Sequence, residues 1–431
     1  VKPIDCSGTW WLAAEPAATV AGTLEFTNET GIVLRLFGTL GAPSLTLGDK
    51  NLDVVHGNVW DCPIGSRITL QNCQLAGLHL HSPGVVREDY RADRLFAGAH
   101  LSEEEDFRFS FLSLEFSGLS SWADNFTGFK MATDAQPDTF LLRWSRPPST
   151  FVKVPGGNLT VGVEGTRKYR QRQQSIVETV RIVVKSDEAR SLEDLSTVYV
   201  NPLQNFFTFA TDHANSILDL SVRRAGSDDD VTVLASRVFN DDSIAADLFP
   251  HRMIFSLKDI RDHAAEVIER WLQISEDLKD VLTSYFSWLY GVESFVDFKF
   301  LTVFQSIELY ARKRLPSDDS DLLSTRHLTE LVRRVLDAHW GSVSELFDAG
   351  IEAVANEIVA YRNFVVHRVG QTGRGERFGE RLYWLTQRLA FVMKACLLTE
   401  LSFPMTEQLD FFRRNQLYLH LVGTRTARIS D

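Results

Sequence analysis

After about residue 250 the hydrophobic period of this chain is helical to the end, and few folds accommodate that change. Before it, apolar and polar residues alternate in short runs broken by turn residues: GTLEFTNETGIVLRLFGTL, GSRITLQNCQLAGLHLHSPG, FRFSFLSLEFSGLSSW, DTFLLRWSRP, NLTVGVEGT and IVETVRIVVKS. A period of two gives a strand with one buried face. Many short strands separated by turns predict a β-sandwich or an open barrel. Around SLEDLSTVYVNPLQNFFTFATDHANSI the spacing turns helical, predicting one or two helices packed on the β domain, and DDDVTVLAS returns to strand. Beyond residue 250, apolar residues recur at i, i+3, i+4 and i+7. Five long helical segments result, beginning at SLKDIRDH, VDFKFLTV, TRHLTELV, ELFDAGIE and RFGERLYW, with a short helix in the tail at TEQLDFFRRNQ. Ser256 is placed to cap the first; Pro316, Gly370 and Pro404 stop the later ones. The expected fold class is α+β: a β-rich, sandwich-like domain over 1–248, then an all-α bundle over 249–431. A length of 431 residues also exceeds what one domain usually holds.

Charge divides along the same line. The whole chain carries a net −12. Residues 251–431 hold 23 Lys and Arg against 25 Asp and Glu, so residues 1–250 carry −10 and the remainder −2. Such a balance argues against general nucleic-acid binding. One cluster departs from it: residues 361–390 contain six arginines and two glutamates, a local +4. The most apolar run, LAFVMKACLLTEL, is interrupted by Lys394 and is too short for a bilayer. The opening residues show no basic n-region followed by an apolar h-region, so a signal peptide is not expected. The four cysteines, Cys6, Cys62, Cys73 and Cys396, form no C-x-x-C pair, and reduced thiols in a cytoplasm are the simplest reading.

The basic cluster surrounds YRNFVVHRVG, Tyr361 to Gly370, at the end of a helix that otherwise reads as core. Arg362, Asn363 and His367 suit RNA cleavage without a metal. A histidine can take the proton of a ribose 2′-hydroxyl or give one to the leaving 5′-oxygen. An arginine offers a planar fork to the phosphate and stabilises the charge of a pentavalent transition state. The products would be a 2′,3′-cyclic phosphate and a 5′-hydroxyl. Five residues turn a helix by about 500°, so Arg362 and His367 project about 140° apart and one helix presents them awkwardly. Two copies across a two-fold axis would bring both sets to one cleft. The bland alternative is a helix terminus with favourable cations.

A helical domain with R-N-x-x-x-H near the end of its penultimate long helix resembles the HEPN ribonuclease superfamily. The chain as a whole resembles the ApeA-like HEPN proteins more narrowly. GTWWLAAEPAATVAGTLEF, Gly8 to Phe26, is similar to that family's opening strands; GSRITLQNCQ and LSLEFSGLSSW resemble further β segments, and FLTVFQSIELYARK an early HEPN helix. The resemblance implies anti-phage defence: a ribonuclease, in well-known members cutting tRNA in the anticodon loop, under a β-rich sensor or regulatory domain. Translational arrest and abortive infection follow. It implies a homodimer or higher even oligomer, RNA as partner, a phage protein as trigger, no cofactor and no membrane. Carried over, Arg362 and His367 are catalytic, Asn363 assists and Glu308 orients them. Arg368, Arg374 and Arg377 are the candidate RNA contacts of the basic cluster.

Other patterns give rival readings. His79 and His81 share a strand face, and with Glu88, His56 or Cys73 they would suit a metal-dependent β-sandwich enzyme, although Glu88 falls too far on for a cupin motif. Thr166–Gln174, TRKYRQRQQ, would touch RNA or simply guard a strand edge. Arg334 and His339 repeat the Arg-x4-His spacing without the asparagine. Trp10, Trp11, Trp60 and Trp122 fall in the expected β domain, where core packing is their usual role. A non-catalytic helical module that dimerises or binds RNA, with a ligand-binding β domain, is the principal alternative to an enzyme.

Overall fold

The computed structural model describes residues 3–41, 51–79, 84–123, 127–133, 140–170, 173–235, 248–291, 295–314, 328–367 and 378–426. The chain gathers into two compact units. The first comprises Val1–Ser120, Phe126–Gln204 and Asn215–Ala246; the second comprises Ser121–Asn125, Asn205–Ala214 and Asp247–Asp431.

The strands of the first unit are β1 (Ile4–Leu12), β2 (Val20–Thr27), β3 (Gly31–Leu36), β4 (Asn51–Val59), β5 (Arg67–His79), β6 (Arg87–Ala97), β7 (Arg108–Phe116), β8 (Phe129–Thr133), β9 (Phe140–Trp144), β10 (Thr150–Val154), β11 (Gly157–Arg170), β12 (Gln173–Ser191), β13 (Ile217–Arg224) and β14 (Val231–Ala235). Six of them close on themselves in the antiparallel order β1-β2-β3-β6-β5-β4 and back to β1. The sandwich-like form expected from alternation is therefore a closed barrel carrying extra strands. Strand β6 explains the difference. One of its edges pairs with β5 along its length. The other is divided: Glu88–Ala92 pair with β3 and complete the barrel, while Arg94–Ala97 pair with β14. From there the sheet continues as β13-β7-β12-β11-β10. Alternation sets which face is buried but not which strands close a ring.

Alternate residues fill the barrel: Ile4, Cys6 and Trp10 on β1, Leu24 and Phe26 on β2, Ile32, Leu34 and Leu36 on β3. Trp10 is fully buried, and it fits because Gly57 on β4 carries no side chain. A Cβ there would lie 2.3 Å from a carbon of the indole.

Helix α1 (Leu119–Trp122) follows β7. After β12 the chain runs through α2 (Leu192–Leu195), a π turn over Ser196–Val200 and α3 (Asn201–Thr211). Ser191 starts the run by accepting the Asp194 amide on its hydroxyl. The helical unit takes in more of the early chain than a single cut at 248/249 would. Trp122, expected among the β-domain tryptophans, packs edge-on against Phe206 and Phe207, and Phe209 stacks on Trp271 at 5.5 Å. Every residue from Phe206 to Thr211 of α3 is buried, which suits a place among helices better than packing on one sheet face.

The remaining helices are α4 (Ala264–Asp277), α5 (Lys279–Tyr290), α6 (Val296–Arg314), α7 (Leu328–Val343), α8 (Ile351–His367), α9 (Phe378–Glu400), α10 (Met405–Arg414) and α11 (Gln416–Thr426). The first expected helix is thus two, broken at Leu278, where the backbone leaves helical dihedrals. Ser256 does not cap it; its hydroxyl donates to the Asp259 carboxylate at 2.9 Å. Helix α6 packs against α5, α7, α8 and α9. Among the described residues no helix is long and apolar enough to cross a membrane.

Candidate active site on helix α8

Helix α8 buries Val354, Ala355, Ile358, Val359, Tyr361, Phe364 and Val365, the stripe expected of a core-facing helix. Its last turns are pinned by aromatic contacts. The rings of Tyr361 and Phe364 lie 5.7 and 4.9 Å from that of Phe378, the first residue of α9. Arg362 and Asn363 fall between these anchors and are half-buried, and His367 is exposed at the helix end.

The three polar residues meet. Arg362 Nη1 donates to Asn363 Oδ1 at 3.1 Å and lies 3.2 Å from His367 Nε2. A guanidinium has donors only, so Nε2 is the accepting nitrogen and the ring proton sits on Nδ1. Spacing alone sets Arg362 and His367 apart around the helix. Asn363 and His367, four residues apart, share a face, and the long arginine side chain bends onto that face and closes the gap.

Glu308, on α6, is half-buried and engaged elsewhere: its carboxylate accepts from Arg312 at 2.7 and 3.1 Å. Arg368, Arg374 and Arg377 lie outside the described residues. Arg381, the next arginine of the cluster, is exposed in the first turn of α9.

Residues 5–271 match the family model of ApeA N-terminal domain 1, and residues 297–407 match that of the Apea-like HEPN domain. The chain belongs to the ApeA-like HEPN family. Neither the curated proteins nor the solved structures give a match. The HEPN match in this ApeA-like chain encloses α7, α8 and α9, almost all of α6, and with them Glu308, Arg362, Asn363 and His367.

The same Arg-x4-His spacing on α7 has a different fate in this HEPN domain. Arg334 is tied to Glu330 at 2.8 Å on the helix surface. His339 is buried beside the Thr399 hydroxyl, and burial lowers its pKa to about 4. Among the described residues no three His, Cys, Asp or Glu side chains are placed to hold an ion. His79 contacts Asp89 at 3.3 Å. Buried Glu88 accepts from the Tyr90 hydroxyl at 2.8 Å. His56 Nε2 lies 2.9 Å from the Leu101 carbonyl and its ring stacks on His100. Cys73 is in the barrel core, and His81 lies outside the described residues. Of the stretch Thr166–Gln174, Gln171 and Arg172 lie outside the described residues and the rest belongs to the β11–β12 hairpin, where the Arg167 guanidinium covers the exposed Tyr169 ring at 4.5 Å. What the spacing argument missed is the anchoring of the motif by Tyr361, Phe364 and Phe378. Two aromatics three positions apart, flanking Arg-Asn, were the available signal.

Proposed function

We propose that the chain is a metal-independent endoribonuclease of bacterial anti-phage defence, acting in the cytoplasm, with Arg362 and His367 as its catalytic pair. The reading rests on one observation above all: within a HEPN domain, Arg362 Nη1 is shared between Asn363 and His367 at a solvent-facing helix end. At rest the guanidinium occupies the lone pair of Nε2. An RNA phosphate is a stronger acceptor than a neutral imidazole and draws the fork towards itself. Nε2 is then free to take the 2′-hydroxyl proton as that oxygen attacks phosphorus, while Arg362 neutralises the pentavalent charge. Asn363 holds the guanidinium in reach of both. Glu308 is given an orienting role. One motif supplies one imidazole, whereas the departing 5′-oxygen needs a proton from a second group. A two-fold partner presenting its own motif meets that need, so a dimer or higher even oligomer is expected. Arg368, Arg374 and Arg377 are the proposed RNA contacts, and the anticodon loop of tRNA is the proposed target.

The β-rich unit is assigned sensing, with a phage protein as the expected trigger. A cleft of about 420 Å³, lined by Asn72, Asp93, Arg94, Glu193 and Asp219 among others, favours a ligand-binding role for that unit in either an enzymatic or a non-catalytic reading. Expression of the parent chain and of His367→Ala in a phage-challenged bacterial host tests the proposal. Only the parent is expected to arrest growth and to leave new 2′,3′-cyclic-phosphate ends clustered at one tRNA position. Equal behaviour of the two with no new ends would leave the non-catalytic module.

A further inference from the structure

Cys6 and Cys62 are 56 positions apart in the chain, yet their Sγ atoms lie 2.9 Å from each other. Both are free thiols. The distance falls between the bonded separation of about 2 Å in a disulfide and the ordinary contact of two unlinked sulfurs. Backbone geometry produces it. Strands β1 and β4 pair as far as Gly8 and Val59, and the Trp60 amide extends the ladder by donating to the Ser7 carbonyl. Asp61 then takes a left-handed conformation at φ 53°, and the Gly65 amide closes a turn on the Cys62 carbonyl. That turn curls Cys62 back over β1. Cys6 points into the barrel core, whereas Cys62 is half-buried and packs against the same core. One thiol is reachable from solvent, its neighbour is not, and the two touch.

We propose that Cys6 and Cys62 form a redox-active dithiol that a peroxide converts to a disulfide across the β1–β4 seam. In the first step Cys62 sulfur attacks a peroxide oxygen. An S–O bond forms, the O–O bond breaks, and the products are a sulfenic acid and water. In the second step Cys6 sulfur attacks Cys62 sulfur; the S–S bond forms, the S–O bond breaks, and the departing hydroxide takes the Cys6 proton as a second water. Two thiols lose two electrons and one peroxide gains them. Burial, together with the neighbouring Cys62, keeps Cys6 protonated, so the initial attack falls to Cys62. Cys73 and Cys396 are fully buried and serve as internal controls. The inference does not depend on the ribonuclease reading.

Thiol mapping of the purified full chain tests it. The chain is reduced, exposed to a small excess of hydrogen peroxide, denatured, alkylated and digested for mass spectrometry. The expected product joins the Cys6 and Cys62 peptides with the loss of two hydrogens, leaves Cys73 and Cys396 alkylated, and reverts with dithiothreitol. In Cys6→Ser the Cys62 sulfenic acid should persist and be trapped by dimedone. Alkylation of all four cysteines after peroxide would overturn the proposal. So would a parent chain in which Cys62 proceeds to the sulfinic acid while Cys6 stays free.

Discussion

His367 and His339 are the same side chain in opposite settings, and each gives a prediction. His367 is exposed and contacts Arg362. His367→Ala and Arg362→Ala should therefore abolish RNA cleavage while shifting unfolding free energy by less than about 1 kcal/mol, as for other surface changes. Parallel cleavage assays and denaturant melts check this, and an active or grossly unstable variant would remove the residue from the site. His339 is 3 % exposed, with its pKa depressed from 6.5 to about 4. Between these values the unfolded chain binds the proton and the folded chain does not, so stability falls as pH drops from 6.5 towards 4. Relative to His339→Leu, the parent should lose about 2 kcal/mol between pH 7 and pH 5. Urea melts at the two pH values measure it, and an unchanged difference would contradict the burial argument. At this scale the R-N-x-x-x-H motif was legible as a string of residue types. Its hydrogen bonds were not, because helical spacing fixes where Cα–Cβ bonds point and says nothing of where a long arginine folds.

Strands and helices here depend on a few buried contacts between distant segments. Lys394 of α9 and Asp212, just after α3, form an ion pair at 2.7 Å, with side chains 1 % and 9 % exposed. The ammonium also sits 4.0 Å over the Phe391 ring. Lys394→Met strands the Asp212 carboxylate in the interior and should cost about 3–5 kcal/mol; Lys394→Met with Asp212→Asn should recover much of that loss. Chemical denaturation of the two variants decides it, and a double variant no better than the single would show that the pair does not act as a unit. In the barrel, Trp10→Ala should cost about 3–5 kcal/mol by leaving a cavity opposite Gly57, and unchanged melting would count against a core role for Trp10. Element types were readable because a period of two and a period of 3.6 rarely mimic each other over long runs. Closure of the barrel through the divided edge of β6 was not, since register between distant strands leaves no trace in local pattern. The placement of Trp122 and Phe206 among the helices was hidden for the same reason: an apolar residue announces burial, not its neighbours.

For the molecule as a whole, the two family models match successive parts of the chain, and the first runs past the change of hydrophobic period near residue 250 into the first helices that follow it. Charge is where the whole chain and the proposed site diverge: a net −12 protein with a +4 cluster at the motif. Binding driven by that cluster should weaken as salt rises, because neutralised phosphates release counterions. Cleavage at subsaturating RNA should therefore slow steadily with added salt, and a salt-independent rate would move the RNA contacts elsewhere. The most direct test of the central claim is end-group analysis of bulk tRNA incubated with the purified, triggered full chain in the presence of a metal chelator, beside His367→Ala. The account predicts 2′,3′-cyclic-phosphate and 5′-hydroxyl ends from the parent alone. Cleavage by both proteins, or by the parent only after metal is restored, would contradict it.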